Sequence, residues 1–447
     1  MTAPPVQSGQ QASAPRRPGA SLRILRNVGW LTASKAVGAV LSIAYLGLAV
    51  RELGPEGFGA FTMVLAYGQA VANFVQFQSW QLVIRFGAGH LEKGRLDRLE
   101  ALIRFGLWLD IGSACASALL GFFGVLLVRG WLGWSPETAW AAQLFSLGLV
   151  GWVRATSTGI LRLLDRFDQL SWAEMLTAAI RFAGAVSAAL WAPRMGVFLA
   201  IWAGSEIAAA FWLWLQARRA LRQHGVSLRP GAAHGVTRDN PHLWRFAWSS
   251  NATASVNLVW QQLGTLAIGG AMGAAAAGGY RLAFQIAQAL STPTLLLGRV
   301  IYPEFTRVEG ADGFARMLWR ATRLAAVVGG GLIGIAALFG KPLMVLLGGA
   351  YYVQAAPLLT ILTVAVAIDL AGFALEPALL AAGRAGHALT GRAAGALAYA
   401  VLLFLMLERW GVYGAAWAAV IGSAIAAGLS LCLVSRVDVI ARRAING

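Results

Sequence analysis

The sequence predicts an all-α polytopic membrane protein with about twelve transmembrane helices, and three observations lead to this fold class. First, the mean hydropathy is +0.64 and only 12% of the residues are charged, which is unusual for a soluble chain of 447 residues. Second, apolar segments long enough to cross about 30 Å of hydrocarbon fill almost the whole chain. Third, the basic residues between these segments alternate sides, with a strong excess on one side.

The apolar segments define the individual elements in chain order. Each segment is bounded by charged residues, Gly or Pro, which mark the connections. The predicted spans lie at about 27–50, 58–83, 101–128, 138–161, 170–192, 195–216, 246–270, 278–302, 320–340, 355–378, 387–407 and 411–434.

The distribution of Lys and Arg predicts the orientation. With a cytoplasmic N-terminus, 26 of the 36 basic residues lie in cytoplasmic segments or in the end turns beside them. Five lie inside spans, and the opposite side carries only Arg51, Arg129, Arg194, Lys341 and Arg409. The positive-inside rule therefore predicts that both termini are cytoplasmic.

The longest cytoplasmic connection, 217–245, divides six spans from six. Pro230 and Pro241 interrupt helix within it. Because six is an even number, the two lobes are predicted to form a parallel pseudo-repeat about an axis along the membrane normal. The predicted organisation is a disordered cytoplasmic tail at 1–22, a six-helix lobe at 23–216, a linker at 217–245, a second six-helix lobe at 246–435 and a cytoplasmic tail at 436–447.

Composition and motifs exclude several classes of function. The net charge of +17 suits anionic lipid headgroups, because the basic residues lie in short connections without a nucleic-acid recognition module. Cys115 and Cys432 lie within spans and indicate no disulfide framework. No metal-binding, phosphate-loop or nucleophile motif is found in the sequence, so we predict no catalytic residue, no metal and no cofactor, and a protein that is not an enzyme.

Ionisable residues within the spans are the first candidate site residues, because each costs about 2.5 to 3.5 kcal/mol at bilayer depth. Arg181 and Glu206 lie at equal distances from the turn at Pro193, so they are predicted to reach the same depth on antiparallel neighbours. Asp110 and Arg154 are placed in the same way about the connection between the third and fourth spans. Each pair fits either a structural ion pair or the lining of a cavity.

Lys35 and two acidic residues complete the charged set. Lys35 lies about 12 Å into the first span with no acid in the first two spans, which makes it a candidate for anion binding; snorkelling to the cytoplasmic surface is the alternative. Asp369 and Glu376 in the tenth span could balance these cations or bind a coupling cation.

Amide side chains form polar stripes at helical spacing on three spans. Arg281 is followed by Gln285 and Gln288 on one face of the eighth span. These stripes predict a hydrated cleft, and hydrogen bonds between helices are the alternative. The remaining predicted amide residues are Gln69, Asn73, Asn257 and Gln261.

Four short segments carry a family resemblance. They are Arg51–Gly59 (RELGPEGFG), Gly159–Arg162 (GILR) with Arg166 and Phe167, Leu347–Tyr351 (LGGAY), and Gly411–Ala416 (GVYGAA). With these landmarks the chain resembles, over about residues 25–435, the polysaccharide flippase (Wzx-like) family of the multidrug/oligosaccharidyl-lipid/polysaccharide exporter superfamily.

The resemblance implies twelve helices around a cationic cavity with alternating exposure. It also implies transport of an undecaprenyl-pyrophosphate-linked oligosaccharide to the outer leaflet of a bacterial inner membrane, for lipopolysaccharide or exopolysaccharide synthesis in the cell envelope. The implied partners are membrane lipids, a polymerase and a chain-length regulator. A nucleic-acid partner is not expected. Lys35, Arg154, Arg181 and Arg281 form the predicted cationic set.

Other classes stay open at this point. They are a flippase for another lipid-linked precursor, a multidrug cation antiporter, a membrane-embedded glycosyl enzyme and a structural subunit of an envelope machine. An antiporter for cations would favour acids over bases in the first lobe, and Lys35 counts against it.

Overall fold

A computed structural model describes residues 20–228, 235–305, 311–375, 379 and 385–445, and secondary structure in these ranges is helical. The helices are α1 (Ala20–Val75), α2 (Ser79–Glu92), α3 (Leu96–Val128), α4 (Pro136–Leu147), α5 (Ala155–Leu163), α6 (Phe167–Trp191), α7 (Met195–Gln223), α8 (Val236–Asp239), α9 (Leu243–Leu258), α10 (Gly264–Met272), α11 (Ala274–Phe305), α12 (Ala311–Gly348), α13 (Ala356–Ala371) and α14 (Ala385–Ile445). A 3₁₀ turn follows α4, a π turn joins α9 to α10, and a 3₁₀ segment precedes α13. We refer to α1–α7 as the first half and to α9–α14 as the second half.

The prediction of an all-α polytopic membrane protein is confirmed. Eight helical segments of the described chain are long and apolar enough to cross a membrane. Two of them, Val40–Glu92 and Leu389–Val434, each cover two predicted spans. The predicted spans 246–270 and 278–302 coincide with α9–α10 and α11, which are helical but are not among these eight segments.

Glycines with positive φ form the turns within the two longest helices. Gly54 has φ 66° and ψ 178° within α1, and Gly411 has φ 57° within α14. An L-residue with a side chain would be strained in this conformation. The connection predicted between the spans 27–50 and 58–83 is therefore present, but it consists of a single non-helical residue.

The fourth predicted span is not one continuous helix. It consists of α4, the 3₁₀ turn Gly148–Gly151, a non-helical stretch to Arg154, and α5. The second predicted span is likewise interrupted between Val75 and Ser79. Hydropathy does not predict the break in the fourth span, because a backbone N–H freed there, that of Thr156, is satisfied by a side chain from another helix, as described below.

The packing distinguishes two sides of the molecule. We call the side with Gly54, Gly273, Gly349 and Gly411 the turn side and the side with the linker 217–245 the linker side; the sequence predicts the linker side to be cytoplasmic. One continuous hydrophobic core includes residues of both halves that border the turn side. On the linker side, α2, α3 and α5–α7 form one cluster, while α12, the segment after α13, and α14 form a separate cluster.

Small residues bring the halves together on the turn side. A Cβ atom on Gly59 of α1 would lie 1.8 Å from the carbonyl oxygen of Ala274, and one on Gly278 would lie 3.2 Å from the Cα of Gly59. At Gly269, the side chain of Met63 from α1 occupies the space that a Cβ atom would need. These contacts, which we call the turn-side seal, need glycine because the backbones approach more closely than a side chain allows.

The linker helix α8 and the start of the second half dock onto the first half. The short helix α8 is held by a His90 Nε2 to Asn240 Oδ1 hydrogen bond of 2.9 Å and by an Arg98–Asp239 ion pair of 3.2 Å. Aromatic contacts continue along α9: Trp244 and Trp248 pack against the ring of Phe77, and further contacts join Phe246 to α2 and Trp244 to α3. In contrast, α10 packs mainly against α11, α14 and α1.

Candidate functional site

A carboxylate between two guanidinium groups lies inside the first half. Glu206 of α7 accepts a hydrogen bond on one oxygen from Nη1 of Arg154, at the start of α5, and on the other from Nη2 of Arg181 on α6, at 2.5 Å. The Arg181–Glu206 ion pair that the sequence suggested is therefore present. The cluster contains two positive charges and one negative charge, so it remains net cationic.

The two arginines of this cluster differ in their surroundings. Arg181 is well satisfied, because its Nε donates to Ser205 Oγ at 2.9 Å and its guanidinium stacks on Trp202 at 3.4 Å. The side chains of Arg181 and Glu206 are 13% and 9% exposed, whereas that of Arg154 is 43% exposed. Arg154 is therefore the member of the cluster that can meet a ligand, and Arg181 helps to hold Glu206 in place.

The predicted pair of Asp110 with Arg154 is not formed. Instead, one oxygen of Asp110 accepts from the backbone N–H of Thr156 at 2.7 Å, and the other accepts from the hydroxyl of Ser79. Thr156 and Ser79 also hydrogen-bond to each other at 3.1 Å. The first turns of α2 and α5 are thus joined through one buried carboxylate, which suits the positive ends of helices. Equal depth was a poor guide here, because it does not fix the direction in which a side chain points.

A second polar cluster connects the two halves. Arg281 Nη1 of α11 donates to the backbone oxygen of Gln261 at 2.9 Å and to Oε1 of Gln262 at 3.4 Å. Gln262 Nε2 in turn donates to Oε1 of Gln69 on α1 at 2.9 Å. We call this chain of three side chains the Gln–Gln–Arg chain. The backbone oxygen of Gln261 is available because it lies in the π turn Val259–Leu263, which departs from regular α-helical hydrogen bonding.

The remaining amides of the predicted set do not join this chain through the described hydrogen bonds. Gln261 is exposed through its side chain, and Asn73 and Gln285 are half-buried. Asn257 is half-buried, and its Oδ1 is buried without a hydrogen-bond partner among the described residues. Gln288 is exposed and takes part in a further interaction.

The structure places the other predicted charges as follows. Asp369 lies near the end of α13, where it interacts with Ser423 and with the charge of Arg392, both on α14. Lys35 lies within α1, but its side chain lies outside the described part of the structure, as does Glu376. Their predicted roles stay predictions.

Sequence reasoning missed three residues that organise these clusters. Gln262 was passed over for its neighbour Gln261, because the π turn shifts the helical register by one residue. Tyr45 of α1 packs against Trp202 with ring centroids 6.0 Å apart, and its buried hydroxyl has no hydrogen-bond partner among the described residues. In the sequence, Tyr45 and Trp202 appear only as aromatic residues within predicted spans. Ordinary core packing accounts for such residues equally well, so the sequence did not mark them as part of a site.

Comparison with known proteins identifies the family. A family model described as "Polysaccharide biosynthesis protein" matches residues 24–309. "Inner membrane protein YghQ" of Escherichia coli is 29% identical over 346 residues, which is 75% of this chain and 96% of the relative. Its location agrees with the predicted multi-pass inner-membrane protein.

Solved structures show which fold this is. An inward-facing multidrug resistance MATE family transporter of the MOP superfamily matches with a TM-score of 0.73 at 12% identity, covering 92% of this chain and 99% of that one. The lipid II flippase MurJ in an inward closed conformation matches with a TM-score of 0.67 at 13% identity, covering 91% and 87% of the two chains. The chain therefore has the fold of these transporters, and it belongs to the polysaccharide biosynthesis protein family.

Proposed function

We propose that this protein is a flippase that moves undecaprenyl-pyrophosphate-linked oligosaccharide repeat units from the inner to the outer leaflet of the bacterial inner membrane. The observation that carries the proposal is the partly exposed guanidinium of Arg154 in the net cationic cluster with Glu206 and Arg181. A guanidinium exposed to hydrocarbon at this depth would be costly, so its exposed surface is better placed in a water-filled cleft. A pyrophosphate is an anion with geometry suited to a guanidinium fork.

The separate cores on the linker side support an entry route from the cytoplasmic leaflet. The halves share one core towards the turn side. On the linker side α9 packs on the first half, but α12, the segment after α13 and α14 form a cluster of their own, so a cleft between that cluster and the first half would open on the predicted cytoplasmic side. The polyprenyl tail can stay in lipid while the charged headgroup enters. Two buried amide atoms have no partner among the described residues, Gln76 Nε2 just after α1 and Asn257 Oδ1 on α9. Sugar hydroxyls could satisfy them once the halves separate.

The charge of the cluster argues against a cationic substrate. A multidrug cation antiporter needs net negative charge where its substrate binds, whereas this cluster carries one excess positive charge. A flippase for a different lipid-linked anion fits the same charge, and identification of the accumulated lipid separates these two.

The first experiment is deletion of the gene, followed by extraction of lipid-linked sugars and assay of surface polysaccharide. The proposal expects loss of polymer and accumulation of one undecaprenyl-linked repeat unit in the cytoplasmic leaflet. Intact polymer, or accumulation of a different lipid-linked precursor, would contradict it.

Complementation tests the cationic set. With normal protein levels, Arg154→Ala is expected to lower transport by about tenfold or more, because one charge-assisted contact contributes about 1.5 to 3 kcal/mol. Arg194→Ala is the matched control, since Arg194 is exposed at the turn before α7. Normal transport by the alanine variants of Lys35, Arg154, Arg181 and Arg281 would exclude a cationic cavity.

Membrane potential is sufficient to drive the proposed step. An inside-negative potential contributes about 2.3 kcal/mol per charge per 100 mV, so an uncompensated dianion moving outward gains about twice that. In inverted vesicles, collapsing the potential while keeping the pH gradient should slow flipping. Unchanged flipping would instead favour cation coupling through Asp369 or Glu376.

A further inference from the structure

Arg281 differs from the other described arginines at span depth because its described partners are all neutral. It is 8% exposed, and its described hydrogen bonds go to a backbone oxygen and an amide oxygen. No carboxylate lies within ion-pairing distance of it among the described residues, whereas Arg154 and Arg181 share Glu206. A buried cation held only by neutral acceptors is poised to exchange them for an anionic acceptor, which binds a guanidinium more strongly.

The Gln–Gln–Arg chain lies just inside the turn-side seal. On α11, Arg281 follows Gly278 by less than one turn, and Gln262 lies about two turns from Gly269. Both glycines belong to the seal. A substrate that enters from the linker side would therefore meet this chain before it met the seal.

Gln262 is the central member of the chain and connects the halves. It is 1% exposed, accepts from Arg281 with its oxygen and donates to Gln69 of the first half with its nitrogen. An amide can serve both neighbours only in this one orientation. If Arg281 turns to an anion, Gln262 loses the partner that fixes this orientation, and the bond to Gln69 weakens with it.

We propose that the Gln–Gln–Arg chain is a lock on the turn-side seal, released when an anionic group of the substrate binds Arg281, and that Gln262 is the positioning residue of this lock. The inference rests on the proposed function, which supplies the anion. A sugar carrier with a pyrophosphate can cross only if the seal parts, because the glycine contacts leave no passage between Gly59 and Ala274. The lock would make parting conditional on the presence of the anion.

The lock can be tested with two variants that change it in opposite directions. Gln262→Leu removes both hydrogen bonds and should shift the closed-to-open ratio of the seal by about tenfold towards open without ligand. Gln262→Glu gives Arg281 a permanent counter-charge, and Gln69 can turn its amide so that its nitrogen donates to the new carboxylate, so the seal should stay closed when the anion is added. Gln143→Leu is the matched control, because Gln143 bonds to a carbonyl of a neighbouring helix within the first half, at 3.4 Å from Phe122 O.

The opening of the seal is measured as the distance between two spin labels, one on each half, at the exposed positions Glu52 and Leu346. The labels are attached to cysteines introduced at these positions after Cys115 and Cys432 have been replaced by Ala. The full-length protein is measured in nanodiscs, alone and with inorganic pyrophosphate or undecaprenyl pyrophosphate. We expect pyrophosphate to lengthen the distance in the wild type and in Gln143→Leu, the distance to be long in Gln262→Leu without ligand, and no response in Gln262→Glu.

Two outcomes would overturn the inference. If both Gln262 variants behave like the wild type, the chain does not control the seal, even if the gene-deletion experiment supports the flippase. If Gln262→Leu opens the seal but neither pyrophosphate compound opens the wild type, the anion is not the release signal. Failure of the flippase proposal itself would appear separately, as intact polymer in the deletion strain.

Discussion

Replacing Glu206 by Gln removes the carboxylate that compensates two guanidinium groups. Breaking a buried ion pair by removing one partner costs about 3 to 5 kcal/mol, because the other charge stays buried. Arg181 is 13% exposed and carries most of this cost. Arg154 is 43% exposed, so solvent screens its share to about 0 to 1 kcal/mol. The glutamine oxygen can still accept one hydrogen bond, so we expect a loss of about 3 kcal/mol, at the lower end of the range.

The assay is unfolding of the purified protein in detergent, followed through intrinsic tryptophan fluorescence. Glu174→Gln is the control, because Glu174 lies exposed on α6 and forms no described ion pair. Adding Arg181→Met to the Glu206→Gln protein should recover part of the lost stability, since the unpaired buried charge is then gone. The reasoning is refuted if Glu206→Gln unfolds like the wild type, or if the double variant is no more stable than the single one.

Two further predictions concern the helix breaks and the seal. In Asp110→Asn the side chain has only one oxygen and cannot accept both hydrogen bonds, so either the backbone N–H of Thr156 or the hydroxyl of Ser79 loses its acceptor. The free energy of unfolding should fall by about 1 to 3 kcal/mol in the same assay. Wild-type stability would show that the carboxylate does not hold the two helices together. Gly59→Ala places a methyl group 1.8 Å from the Ala274 oxygen, so the two backbones must move apart and the seal should open. A cysteine introduced at the buried Ala277 should then become reactive to a membrane-impermeant thiol reagent. Unchanged labelling would contradict the seal.

Hydropathy and charge were sufficient for the all-α polytopic membrane fold and for one ion pair. Arg181 and Glu206 lie on consecutive helices joined by a short turn, so their equal distance from that turn determined both depth and proximity. The same reasoning failed for Asp110 and Arg154, because the predicted span that carries Arg154 is broken just before α5 and Arg154 lies at this break. Its side chain therefore turns to Glu206, which sequence spacing cannot reveal.

The second cluster shows a different limit of sequence patterns. Gln69, Gln261 and Arg281 were found because polar residues at helical spacing stand out in apolar spans. The assignment of Gln261 over Gln262 assumed a regular α-helix. The π turn inserts one residue, and it brings the side chain of Gln262 and the backbone oxygen of Gln261 to the same guanidinium.

The docking of α8 and α9 onto the first half has a consequence for how such proteins can be recombined. The polypeptide divides at the linker, but α9 keeps its aromatic contacts with Phe77, α2 and α3, and the contacts change at the π turn Val259–Leu263. A chimaera joined within the linker would separate Trp244 and Trp248 from the surface they pack against. A chimaera joined at the π turn would keep those contacts within one parent, so the segment that must be inherited together extends from α1 to the end of α9.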